Sequence, residues 1–243
     1  LDEPMLYEIP EGMPDDHAAL IEPLAVGLEH ARRGRPDKTD AALVLGCGAI
    51  GLGVIAGLKL MGVAPIVAAD FHASRRELAI QMGAHLAVDP REVSPYAPLP
   101  DFGNRSVNVI YECVGLPGML QQIIESAPFD GRIVMGGYCM EQEHLFTFVA
   151  QNKRLNVQFA GGEEPQDMQT ALKAIDDGSI DIASWPGDRV GLGGDLVDAG
   201  GLGHGSTPCG QVVDAARGRS RRLGRSAKRT AGTRSRGGGC VSP

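Results

Sequence analysis

The spacing Gly46-x-Gly48-x-x-Gly51 limits this chain more than any other feature, because it lies between the apolar run Leu43-Val44-Leu45 and a segment of helical periodicity. An apolar run that ends on glycine and reopens as a helix is the order strand, tight turn, helix. Gly46 permits the sharp turn, Gly48 lets backbone approach a pyrophosphate with no Cβ in the way, and Gly51 lets helix and strand pack closely. Phosphates then rest on the helix N-terminus, where unpaired N–H groups and the positive end of the helix dipole hold an anion without a dedicated basic residue.

Context separates this turn from an ordinary glycine-rich one. The helix predicted over Ile50 to Met61 has apolar residues at 50, 54, 55, 58 and 61 and only Lys59 charged, so it reads as buried, with Gly62 as its stop. A second apolar run, Ile66-Val67-Ala68-Ala69, ends in Asp70. An acid at the end of the second strand, roughly 20 residues past the glycines, is placed to accept hydrogen bonds from an adenosine ribose. The stretch therefore predicts a dinucleotide site, and Asp70 favours NAD over NADP because a carboxylate repels a 2′-phosphate. Arg75 and Arg76 argue the other way, from one helical turn further on.

Charge excludes some functions. The net charge of −7 hides nine Lys or Arg and no acid in residues 215–243, which leaves 14 basic against 30 acidic residues in 1–214. An acidic globular part is a poor nucleic-acid surface. No apolar run reaches the roughly 18 residues that span a bilayer, and the N-terminus lacks a signal pattern, so a soluble, cytoplasmic protein without a membrane partner is expected. Five scattered cysteines with no CxxC fit reduced thiols. Cys47, Cys113 and Cys139 each follow a predicted strand, so all three are expected along one sheet edge, with Cys47 protected from alkylation by a bound cofactor.

Along the chain, residues 1–14 read as a connector and Asp15-Asp16 as the start of a helix through Arg33. Glu22-Pro23 falls inside it. Either the proline kinks the helix and turns the carboxylate sideways, or it marks a first turn with a solvated glutamate beside it. After the polar hinge 34–40 and the opening stretch come a helix from Ser74 to Met82, a strand Leu86 to Val88 and a proline-rich loop over 90–105. Further strands are predicted at Val107 to Tyr111, Arg132 to Met135 and Leu155 to Phe159, with helices at Leu120 to Ser126 and Asp167 to Asp177. Strands alternating with helices predict an α/β fold, a doubly wound parallel sheet of Rossmann-like type. The last strand is a candidate edge for a homo-oligomer. Past Trp185 no aromatic residue, isoleucine or methionine remains, and disorder is expected beyond about Val213.

The segments AALIEPLAVGLEHA (18–31), VLGCGAIGLG (44–53), AAD with Arg75, RRELAIQMGAH (75–85), and VIYECVG followed by GRIVMGG resemble the zinc-type medium-chain alcohol and polyol dehydrogenases, the sorbitol and threonine branch among them. They occur in that family's order from about residue 5 to 185. The resemblance implies a nicotinamide-binding domain facing a catalytic lobe, with zinc polarising the oxygen of a small alcohol or polyol substrate. Carried onto this sequence, it assigns Gly46, Gly48 and Gly51 to the pyrophosphate, and Ile50, Val114, Val134 and Gly136 to the nicotinamide end. Asp70 takes the adenosine ribose with Arg75 as basic partner, and Glu22 lies at the zinc provided a zinc site exists.

The expected organisation is a connector and linking helix from the catalytic lobe in 1–35, the dinucleotide-binding domain in 36–162, a return segment in 163–194, and a disordered or out-of-frame tail in 195–243. The family's catalytic cysteine, Gly-His-Glu motif and structural zinc loop are not found in the sequence, which begins at Leu1, so an upstream portion is expected. The six histidines show no metal-ligand spacing, one carboxylate does not make a catalytic zinc site, and no catalytic residue is assigned. The expectation is NAD binding without turnover. A non-catalytic NAD(H)-binding module and an S-adenosylmethionine-dependent methyltransferase are the alternatives.

Overall fold

The computed structural model describes residues 6–183 and Trp185. The expected tail, 195–243, and the end of the return segment, 186–194, lie outside the described residues. Seven helices and six strands follow in the order α1 (Asp15–Ala18), α2 (Ile21–Arg33), β1 (Ala42–Leu45), α3 (Ala49–Leu60), β2 (Ile66–Ala69), α4 (Ala73–Met82), β3 (Leu86–Val88), β4 (Val109–Glu112), α5 (Met119–Ser126), β5 (Arg132–Met135), α6 (Thr147–Asn152), β6 (Asn156–Phe159) and α7 (Pro165–Asp176). All strand pairs are parallel, in the order β3-β2-β1-β4-β5-β6. This is the expected doubly wound sheet. The strand order reverses between β1 and β4, and in doubly wound sheets ligands bind outside the C-terminal strand ends at such a switch point.

Strand alternation builds a core on each face. Val44, Val109, Tyr111 and Val134 join Leu24, Leu28, Leu52 and Ile55 of α2 and α3, while Leu43, Ile110, Ile133 and Met135 join Leu120, Ile123 and Ile124 of α5. β1, β2 and β4 are buried throughout, as strands covered on both faces must be. The two helices that carry the site, α2 and α3, touch backbone to backbone: a Cβ on Gly27 would lie 2.4 Å from Gly53 Cα. Tyr111, fully buried, donates its hydroxyl to Ala31 O at 2.9 Å and thereby fixes α2 on the sheet. Burial pushes its phenol pKa up.

The single helix expected over 15–33 is two helices, broken at Ala19 and Leu20. Pro23 is the third residue of α2, where its missing N–H would have no intrahelical acceptor, and Glu22 beside it is exposed. Of the two readings of Glu22-Pro23, the structure has the first-turn one. Helix α6 lies in a stretch that the sequence left unassigned, and α7 starts earlier than expected, through a reciprocal cap between Glu164 and Asp167. Asp167 also receives a two-pronged contact from Arg32, 3.2 Å from Nε and 3.0 Å from Nη2, which binds α7 to α2.

Candidate dinucleotide site

At the end of β1, Gly46 adopts φ +87°, open to glycine at no steric penalty, and a Cβ there would also meet Cys113 O at 2.9 Å. Gly48 is the N-cap residue of α3; no side chain caps this helix and its first turn holds no acid, so the leading N–H groups are open to an external acceptor. Gly51 faces back into the turn, where a Cβ would be 1.9 Å from Gly46 O. The three glycines therefore form a cradle that side chains would fill, and a pyrophosphate fits it. Ile50, the second residue of α3, is half-buried beside them.

Asp70 ends β2 only 7% exposed. Its Oδ2 accepts the N–H of Cys47, inside the glycine turn, at 2.9 Å, and its Oδ1 accepts the N–H of His72 at 2.8 Å. One carboxylate thus joins the turn after β1 to the end of β2, a link the spacing alone did not reveal. Arg75 Nη1 lies 3.7 Å from Asp70 Oδ2, the pairing implied by the family resemblance. Arg76 is otherwise engaged: its Nη1 donates to Asp70 O at 2.8 Å and Phe71 O at 3.0 Å and pairs with Asp89 Oδ2 at 3.3 Å. Arg91 hydrogen-bonds Asp89 as well and holds its carboxyl well below the usual aspartate range, with Arg76 adding to the effect. Neither Arg76 nor Arg91 offers an unengaged guanidinium to a 2′-phosphate.

Beyond the switch point, β4 and β5 end in a second set of turns. Val114 is exposed to 41%, with its methyl group against the Gly46 turn. Val134 is buried at 1% within β5, and Gly136 is buried too, where a Cβ would strike the His30 ring 2.2 Å away. These two support the edge from within, and it is half-buried Gly137 and exposed Tyr138 that reach its surface. Sequence reasoning missed Glu112. It is fully buried at the end of β4, and the signal was there to read, a charged residue closing the apolar strand Val-Ile-Tyr ahead of a glycine.

The three cysteines do follow β1, β4 and β5. Cys47, however, is wholly buried, and burial, reinforced by the Asp70 charge, pushes its thiol up to about 12. A buried thiol raised in this way is expected to react slowly with an alkylating agent whether or not a cofactor is bound.

Glu22 occupies a distinct position. His30 of α2 abuts Gly136 at the end of β5, whereas Arg132 at the start of β5 donates to the Gly34 and Arg35 carbonyls that follow the helix. Helix α2 therefore runs against β5, and Glu22 lies about 12 Å further along its axis than His30, toward the cofactor edge. No group of three His, Cys, Asp or Glu able to hold a metal exists among the described residues. Glu22 alone does not fit a zinc ion, which needs three or four protein ligands. No helix among the described residues is long and apolar enough to cross a membrane.

Comparison with known proteins agrees with this geometry. The family described as zinc-binding dehydrogenase matches residues 49–177, more than half of the chain. The (R,R)-butanediol dehydrogenase of Bacillus subtilis is 35% identical over 136 residues, 56% of this chain and 39% of that protein. The sorbitol dehydrogenase of the same organism is 30% identical over 151 residues, 61% of this chain and 43% of that protein. The crystal structure of 2R,3R-butanediol dehydrogenase from Bacillus subtilis superposes with a TM-score of 0.69 at 28% identity, covering 82% of this chain and 57% of that one. The chain thus spans about two-fifths of the length of the curated relatives it matches. A family match over more than half of the chain, on a sheet and glycine turn of the kind described above, leads to one conclusion: the chain belongs to the zinc-binding dehydrogenase family, as its coenzyme-binding part.

Proposed function

We propose that this chain binds NAD as the coenzyme half of an alcohol or polyol dehydrogenase. The observation that carries the reading is Asp70, a nearly buried carboxylate at the end of β2 that accepts the N–H of Cys47 in the glycine turn, the position from which an acid accepts ribose hydroxyls in such folds. When bound, the nicotinamide supplies a hydride acceptor. The protein's own residues do the holding. Amides at the start of α3 receive the pyrophosphate, Asp70 receives the ribose hydroxyls with Arg75 beside it, and the Val114 and Gly137 turns bound the nicotinamide side. The engagement of Arg76 and Arg91 with Asp89 supports NAD over NADP.

The substrate class follows from the relatives, a small secondary alcohol or polyol. We place Glu22 at the catalytic metal of a complete enzyme, as a ligand or as partner of its bound water, with the other ligands supplied from outside the described residues. On its own the chain binds cofactor without turnover.

Titration of the purified chain and its Asp70→Asn variant with NAD and NADP, followed by an alcohol-oxidation assay, tests the reading. NAD bound at least tenfold tighter than NADP, with the preference shrinking in the variant and no alcohol oxidised, is the expected result. Equal affinities in the wild type contradict the cofactor assignment, and measurable oxidation contradicts the absence of turnover.

A further inference from the structure

Glu112 is a hub. Its main-chain oxygen accepts the N–H of Gly136 at 2.8 Å and of Gly137 at 2.9 Å, while its side-chain Oε1 accepts the N–H of Val114 at 2.6 Å and of Gly115 at 2.8 Å. One residue thus fixes the turns after both β4 and β5. The other carboxylate oxygen, Oε2, is buried without a hydrogen-bond partner, beside Gly137, where a Cβ would come within 2.6 Å of it. No ion pair among the described residues involves Glu112.

The loops do not need that charge. A glutamine's amide oxygen would accept the same two N–H groups, whereas a carboxylate taken out of water and left without a counter-ion is destabilising. A buried negative charge with one oxygen unmatched is therefore aimed at something that comes and goes. No side chain among the described residues hydrogen-bonds its Oε2. The Cys113 thiol is pushed well up, by its burial and then by the Glu112 charge itself, and His30, packed against Gly136, has Nδ1 on Glu29 and its Nε2 buried without a hydrogen-bond partner.

The position of Glu112 says what the partner is. A dinucleotide with its pyrophosphate at the start of α3 and its adenosine ribose at Asp70 lays its other half over β4 and β5, across the switch point. Oxidised nicotinamide carries a positive charge and reduced nicotinamide carries none. Resting on the cofactor assignment made above, we propose that Glu112 discriminates the redox state of the cofactor: its buried carboxylate beneath the Val114–Gly115 turn favours the oxidised, cationic ring over the neutral reduced one. The attraction between unlike unit charges in a partly buried medium is strong enough to alter affinity about tenfold. The two amides at Oε1 offset part of that.

Calorimetric titration of wild type and Glu112→Gln with NAD, NADH and ADP-ribose tests the assignment without any turnover. ADP-ribose lacks the nicotinamide and reports the rest of the site. The expected result is an unchanged ADP-ribose affinity in the variant and a fall of about tenfold in its preference for NAD over NADH. A purely structural Glu112 would weaken both redox forms alike, and an unchanged ratio overturns the proposal. Should the variant not fold, the wild type decides: NADH bound tenfold tighter than NAD overturns the proposal, and NAD bound at least as tightly as NADH supports it. A wild type that binds none of the three ligands refutes the underlying cofactor assignment, whereas binding of all three with the ratio unmoved refutes only the role of Glu112.

Discussion

Gly51 shows how little room the site leaves for change. A methyl group there would lie 1.9 Å from the Gly46 carbonyl oxygen, a backbone atom that cannot swing aside, so the helix start has to move away from the turn. Gly51→Ala is expected to destabilise the fold by about 1–3 kcal/mol, as overpacking does. Its NAD affinity should fall as well, because the leading amides of α3 move with it. Urea unfolding together with a binding titration checks this, and unaltered values for both would mean that the turn is softer than its geometry. The glycines and Asp70 were legible in the sequence because each answers to a local rule, a turn or a strand end. The Asp70–Cys47 contact and the Glu112 bonds to Gly136 and Gly137 were not, because they join residues that only the parallel pairing of β1 with β2 and of β4 with β5 brings together.

At the scale of elements, β2, α4 and β3 meet in an ionic cluster around Asp89. Asp89 follows β3, takes Arg76 from α4 and Arg91 from its own turn, and has its carboxyl pKa lowered, chiefly by the hydrogen bond from Arg91. A carboxyl depressed in the folded state contributes stability that is present above its unfolded pKa of about 4 and is lost as pH falls through the lower folded value. Asp89→Asn should therefore lower the urea midpoint at pH 7, and its deficit relative to wild type should narrow as pH drops below about 4. A deficit of constant size across that range would assign the loss to packing. Strand positions were largely readable, since buried parallel strands are short apolar runs bounded by glycine. The break in the N-terminal helix was not, because Ala19 and Leu20 are good helix formers and tertiary packing stops the helix there.

For the whole molecule, the sheet order brings the glycine cradle and the polar groups on either side of it to one edge of the sheet. Asp70 and its arginines hold the β2 side, and Glu112 with the Val114 and Gly137 turns holds the β4–β5 side. Helix α2 runs from the side of the C-terminal strand ends toward the start of β5, with Glu22 in its first turn. The methyltransferase alternative shares the glycine turn and the acidic strand end but not the family match downstream. Calorimetric titration of the purified chain with NAD and with S-adenosylmethionine, each repeated on Asp70→Ala, tests the central claim most directly. Saturable one-site binding of NAD that weakens at least tenfold in the variant, with no heat from S-adenosylmethionine, is the predicted result. Binding of S-adenosylmethionine, or NAD binding indifferent to Asp70, would contradict it.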